Sequence, residues 1–132
     1  MLKVATIQTD IYWENCTANL AEYEEKLASI EEDVDLIVFP EMFTTGFSNN
    51  AKQLAEPMNL TTTKWMKQIA QEKQAVVMGS CIIQEKGSFY NRLLWVEPNG
   101  EVDFYDKRHL FRMGLENEIY KAGEKRIIKE VK

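Results

Sequence analysis

Ala75 to Ile83 reads Ala-Val-Val-Met-Gly-Ser-Cys-Ile-Ile, with apolar side chains at both parities. Successive residues of a strand point to opposite faces, so such a run is stable only in a sheet that is covered on both sides. Val34 to Phe39, nearly all apolar, imposes the same condition on a second strand, and Pro40 then stops the ladder because it has no N–H to donate. Two strands of this kind direct the chain to an α/β layer architecture with a largely buried sheet.

The remaining pattern fills in that architecture. Residues 2 to 9 form a β-rich run that ends at the polar Gln8-Thr9-Asp10 and predicts a first strand. Leu20, Tyr23, Leu27 and Ile30 recur at helical spacing, Glu22, Glu24, Glu25 and Lys26 fill the other face, and Asn15 or Thr17 can cap the start. Strand, helix and strand are thus complete by Pro40, as in a right-handed crossover between parallel strands. From Met42 to Asn59 runs a loop-like stretch with Gly46, Asn49, Asn50 and Pro57, long enough to suggest a functional role. Trp65, Met66 and Ile69 mark a second helix. Lys86-Gly87 and Pro98-Asn99-Gly100 are turn signals around a strand from Phe89 to Val96, which predicts an antiparallel meander ending in Val102 to Tyr105. A polar loop, Asp106 to Glu124, and a β-like stretch, Lys125 to Val131, follow. Neither helix can shield both sheet faces, so a second cover is missing, and residues 1 to 132 read as an incomplete part of a single domain.

Composition excludes several function classes. Hydrophobic residues at 45% and charged residues at 28% lie in the globular range and away from the disordered one. Lysine and arginine number 16 against 21 aspartates and glutamates, and a net charge of -5 argues against a nucleic-acid partner. The opening apolar run is too short for a signal peptide and no stretch approaches the ~18 apolar residues of a membrane span, so no membrane association and a cytoplasmic location are expected. Cys16 and Cys81 are too few for a disulfide framework and lack metal-ligand spacing, and His109 is the only histidine. Neither a metal nor a cofactor is expected.

Three charged residues stand where chemistry is possible. Glu41 follows Pro40 at the C-terminal end of a buried strand, where open α/β sheets place ligand-contacting groups. Lys107 holds the matching position after the strand that ends at Tyr105, and Glu116 lies nine residues on. Position alone is also satisfied by plainer readings: Glu41 as the first solvated loop residue, Lys107 paired to Asp106 in a charge run, and Glu116 as a surface glutamate.

Phe39-Pro40-Glu41-Met42-Phe43 with Gly46-Phe47 resembles the glutamate motif of the nitrilase superfamily of carbon-nitrogen hydrolases, and Tyr105-Asp106-Lys107-Arg108-His109-Leu110-Phe111 resembles its lysine motif. The opening strand ending in Gln8, the Gly79-Ser80 strand, the Asn91-Arg92 strand and Lys121-Ala122-Gly123 fit in order, so the likeness covers essentially the whole chain. The wording Met-Phe-Thr-Thr-Gly-Phe and Asp-Lys-Arg-His-Leu-Phe-Arg-Met is most similar to the bacterial omega-amidase branch. The resemblance implies the N-terminal half of a nitrilase-type α-β-β-α sandwich, homo-oligomeric as a dimer at full length. It also implies a hydrolase that releases ammonia from small 2-oxo acid monoamides through a cysteine thioester. Glu41 would be the general base, Lys107 the oxyanion holder and Glu116 the second glutamate that supports both. Apart from the resemblance, Phe43, Phe47, Phe111 and Met113 flank the acidic and basic groups and would either wall a pocket for a short-chain amide or simply belong to the core, and Arg108, His109 and Arg112 would either attract an acidic substrate or face water.

The departure from the pattern is the nucleophile, which the family carries several tens of residues beyond the lysine in a Cys-Tyr-Asp-Leu-Arg-like turn absent from this sequence. The 132 residues alone are accordingly expected to be inactive. Cys81 lies inside an apolar strand, where desolvation leaves a thiol inert; Cys16 sits at a helix start, which lowers a thiol's pKa, although Glu14 opposes it. Competing readings are a truncated, non-catalytic interaction module pairing through its uncovered sheet face, and a superfamily hydrolase acting on another amide or a nitrile. A flavodoxin-like domain is disfavoured because no glycine-rich phosphate loop follows the first strand.

Overall fold

The computed structural model describes all 132 residues. The elements run β1 (Val4–Thr6), α1 (Cys16–Ala28), β2 (Leu36–Val38), α2 (Ala51–Leu54), α3 (Thr61–Lys73), β3 (Val76–Glu85), β4 (Ser88–Val96) and β5 (Val102–Asp106). A 3-10 turn, Arg112–Gly114, and the short α4, Glu116–Ile119, complete them. Asn15 is the cap of α1, its side chain accepting the Ala18 N–H at 3.0 Å. Ile30 falls just past the helix and packs on the same core.

The five strands lie in sequence order, β1-β2-β3-β4-β5. β1, β2 and β3 are parallel, as the α1 and α3 crossovers require, whereas β3, β4 and β5 form the expected antiparallel meander. Both long helices pack on one side. Leu20, Tyr23 and Leu27 of α1 and Trp65, Met66, Ile69 and Ala70 of α3 share one core with Ile37, Phe39, Val77, Cys81, Ile83, Leu94 and Val96. On the opposite face Val4 is exposed, and Leu36, Val38, Met78 and Leu93 keep partial exposure. The sheet is thus helix-covered on one face and incompletely covered on the other.

Aromatic rings anchor the covered face. Tyr23 meets Phe39 and Phe43 edge-on with centroids 5.0 and 5.4 Å apart, and Phe39 stacks on Phe43 at 4.8 Å. The Tyr23 hydroxyl donates to the Phe43 carbonyl at 2.6 Å, which pins the turn after β2 to α1. Gly79 of β3 lies beneath this stack: a Cβ there would come within 2.8 Å of the Phe43 ring and 2.9 Å of Phe39 Cβ.

Three expectations are corrected. The first strand is three residues long, Val4–Thr6, not 2 to 9. The polar stretch from Asp106 to Glu124 is not all loop, because it holds the 3-10 turn and α4. Residues 125 to 131 form no strand. After Gly123, whose N–H donates to the Lys107 carbonyl at 3.0 Å, the chain joins no ladder and is tied by side chains instead. Lys129 pairs with Asp103 and Glu97, and Lys132 with Asp35.

Because the Phe43 ring and the Phe39 Cβ leave no room beside Gly79, Gly79→Ala should destabilise the protein by about 1–3 kcal/mol through overpacking. Urea unfolding checks this as a lower midpoint at unchanged slope; an unchanged midpoint would mean that the Phe39–Phe43 stack yields freely.

Candidate functional site

Backbone chemistry at three strand and helix ends delivers the charged residues. At the end of β2 the Phe39 N–H still donates to Met78 at 2.8 Å, Pro40 has nothing to donate, and Glu41 leaves the sheet. Met42 then reverses the chain in the left-handed region (φ 50), unusual for a residue with a side chain. That turn is held by the Met42 N–H donating to Ser80 Oγ at 2.8 Å and by the Met42 carbonyl accepting from Thr45 and Gly46. Past β5 the Lys107 N–H donates to the Asn91 carbonyl at 2.9 Å, extending the ladder by one step and setting Lys107 beside Asn91. Glu116 opens α4 directly after Leu115, a second left-handed residue (φ 62).

These ends converge. Lys107 Nζ lies 2.7 Å from Glu41 Oε1 and 2.9 Å from Glu116 Oε1. Asn91 Nδ2 donates to Glu41 Oε1 at 2.9 Å and to Glu116 Oε2 at 3.0 Å. The Phe111 N–H completes the set, donating to Glu116 Oε1 at 2.6 Å. Glu116 is fully buried, whereas the Glu41 side chain is 49% exposed. Burial alone would raise the Glu116 pKa, but the Phe111 N–H, then Asn91 and Lys107, outweigh it and hold the carboxyl below the ordinary glutamate range. For Lys107, burial works against the charge and the two carboxylates more than offset it, so its pKa is raised and it stays an ammonium.

Two cavities meet at this cluster. One of about 750 Å³ is lined by Glu41, Lys107, Phe47, Phe111, Met113, His109, Leu110 and Arg112. Another of about 310 Å³ lies over Ser80, Asn91, Leu93 and Tyr105 and shares Glu41 and Lys107. An ammonium and a half-exposed carboxylate at the mouth of a partly apolar cavity can stabilise a developing oxyanion and move a proton. No three His, Cys, Asp or Glu side chains are grouped to hold a metal ion, and no helix is long and apolar enough to cross a membrane.

Of the residues singled out in the sequence, Glu41, Lys107 and Glu116 are in mutual contact, and Phe47, Phe111 and Met113 line the larger cavity. Phe43 does not. The Met42 reversal turns it back beneath Phe39, and it is fully buried in the helix-side core. Asp106 does not pair with Lys107 but with Arg92, which it meets at 2.7 Å. Burial, followed by the charge of Glu56, raises the Cys16 thiol despite its place at the start of α1. Burial pushes Cys81 well up too. Neither is a ready thiolate. The sequence places Asn91 and Arg92 only on a strand, yet both are almost completely buried and both tie charged groups together. Their signal was available: two polar residues within a largely apolar strand must find partners.

The model of the carbon-nitrogen hydrolase family matches residues 3–131. The chain belongs to the carbon-nitrogen hydrolase family. It is 42% identical to the omega-amidase YafV of Escherichia coli K12 over 129 residues, 98% of this chain and 50% of that protein. It is 26% identical to the 2-oxoglutaramate amidase of Bacillus subtilis over 123 residues, 91% of this chain and 48% of that one. The fold superposes with a TM-score of 0.95 and 37% identity on a CN-hydrolase superfamily protein of Xanthomonas campestris, whose crystal structure carries an arsenic adduct in its active site. That match covers 99% of this chain and 49% of the other. The chain thus spans about half the length of the relatives it matches. Its fold is the α/β arrangement of the nitrilase superfamily.

The lowered Glu116 pKa fixes a direction with pH. Its contribution to stability is complete above the unfolded glutamate value of about 4.3 and is lost as pH falls through the lower folded value. Glu116→Gln should therefore cost about 1–3 kcal/mol at pH 7, and the wild-type advantage should shrink in acid. Urea titrations at neutral and acidic pH check this, and a gap that widened as the pH fell would contradict it.

Proposed function

We propose that these residues supply the general base and the oxyanion-stabilising cation of an amidase. The enzyme would hydrolyse the terminal amide of small 2-oxo acid monoamides, of the 2-oxoglutaramate kind, to the acid and ammonia through a cysteine thioester. The observation that carries this reading is the 2.7 Å contact between Lys107 Nζ and Glu41 Oε1 at the cavity mouth. The omega-amidase and 2-oxoglutaramate amidase relatives support the substrate class. Both thiols of the chain are raised by burial and pack in or against the helix-side core, so the reading assigns the nucleophile to a residue outside 1 to 132.

In the first half-reaction Glu41 takes the thiol proton while sulfur bonds to the amide carbon, and the C=O electron pair moves to oxygen. Lys107 faces that oxyanion. It stays charged because Glu116 and Glu41 hold it so, and an oxyanion donor of this kind contributes about 2.7–4 kcal/mol. When the C–N bond breaks, Glu41 returns its proton to nitrogen and ammonia departs. Glu41 next takes a proton from water as hydroxide adds to the thioester carbon and the C=O electron pair moves to oxygen; the C=O bond then re-forms as the C–S bond breaks, the acid leaves, and Glu41 returns its proton to the sulfur, which restores the thiol. Phe47, Phe111 and Met113 give the short carbon chain an apolar wall, and Arg112, which makes no ion pair, offers a cation to its carboxylate.

Ammonia release from 2-oxoglutaramate tests the reading. The complete enzyme that carries these residues should turn the amide over, residues 1 to 132 alone should not, and Glu41→Gln or Lys107→Met should each lower kcat by about 100- to 1000-fold. Enzyme-like turnover by the 132 residues, or full activity in both variants, overturns it.

A further inference from the structure

The side-chain amide of Asn91 is 3% exposed at residue level and sits between the two carboxylates, on the strand position next to Lys107. An amide NH2 has two donors, and here both are used: one on Glu41 Oε1 at 2.9 Å, the other on Glu116 Oε2 at 3.0 Å. Glu41 Oε1 therefore accepts from both Asn91 and Lys107, whereas Glu41 Oε2 has no protein donor. The two oxygens of Glu41 are chemically distinct.

From this we infer that Asn91 is a positioning residue for Glu41: it ties the half-exposed carboxylate to the buried Glu116 and leaves Oε2 as the oxygen that carries the proton. The inference rests on the proposed amidase reading for its catalytic consequence, but not for its geometry. A glutamate with half its side chain in solvent would otherwise exchange Oε1 and Oε2 by rotating its terminal torsion, which is broad and roughly two-fold. Two donors on one oxygen, one from β4 and one from the residue that follows β5, oppose that rotation. An amide suits the task better than a charged group. A second ammonium would compete with Lys107, a carboxylate would repel both glutamates, and an amide does not titrate while Glu41 gains and loses its proton. Oε1 remains hydrogen-bonded in both states, so the geometry around Lys107 survives each transfer.

Asn91→Ala and the near-isosteric Asn91→Asp, made in the complete enzyme, test this against a merely structural role. Each should lower kcat by about 10- to 100-fold, the scale of a small misplacement of a catalytic group, with KM kept within about threefold. Variants that lose only stability and keep wild-type kcat overturn the proposal. If the wild-type enzyme hydrolyses no amide, the amidase reading fails, and the clamp is then judged by the nitrogen and proton NMR resonances of the Asn91 side-chain amide. Glu41→Gln should shift one of its two protons and Glu116→Gln the other; a proton insensitive to both overturns the clamp itself.

Discussion

A carboxylate removed from water must find its charge partners inside the protein, and Glu116 is that carboxylate here. Its oxygens accept from the backbone of Phe111, the ammonium of Lys107 and the amide of Asn91. These donors come from the loop before α4, the residue that follows β5 and the middle of β4. Satisfying one buried charge therefore draws three segments to a point, and Glu41, reached through Lys107 and Asn91, becomes the member of the cluster that faces solvent. Burial distinguishes the two: the enclosed glutamate ties the segments together, and the half-exposed one faces the cavity.

β4 serves two networks because a strand alternates its faces. Asn91 points toward the incompletely covered face and joins the two glutamates. Its neighbour Arg92 points to the helix side, where Asp106 and Glu85 hold it and the Phe104 ring lies 3.9 Å from its guanidinium carbon. Occupying Asp106 in this way releases Lys107 from its sequence neighbour. The ion pair on one face thus decides which partners the lysine finds on the other.

The apolar frame sets how precisely Glu41 is held. Phe39 and Phe43 flank it in sequence, yet both stack in the helix-side core beside Tyr23 and Trp65. Glu41 is consequently the tip of a turn whose two shoulders are buried. The left-handed Met42 makes that turn possible and is held by Ser80 of β3, so a side chain from the central strand supports the backbone of the candidate base. Order at an exposed carboxylate is in this case supplied from the core.

Much of this was legible in the sequence. Local pattern determined the helices on Leu20, Tyr23 and Leu27 and on Trp65 and Ile69, the doubly apolar central strands, the meander after Lys86-Gly87, and the motifs that carry Glu41 and Lys107. Burial periodicity, turn residues and the missing N–H of Pro40 act over a few residues, and so they can be read along the chain. Tertiary structure alone decided that Phe43 belongs to the core, that Asp106 chooses Arg92, that residues 125 to 131 leave the sheet, and that Asn91 sits between two glutamates. Each of those outcomes depends on which distant group is present when a side chain loses water, and pairing energies between segments far apart in sequence leave no local periodicity to read.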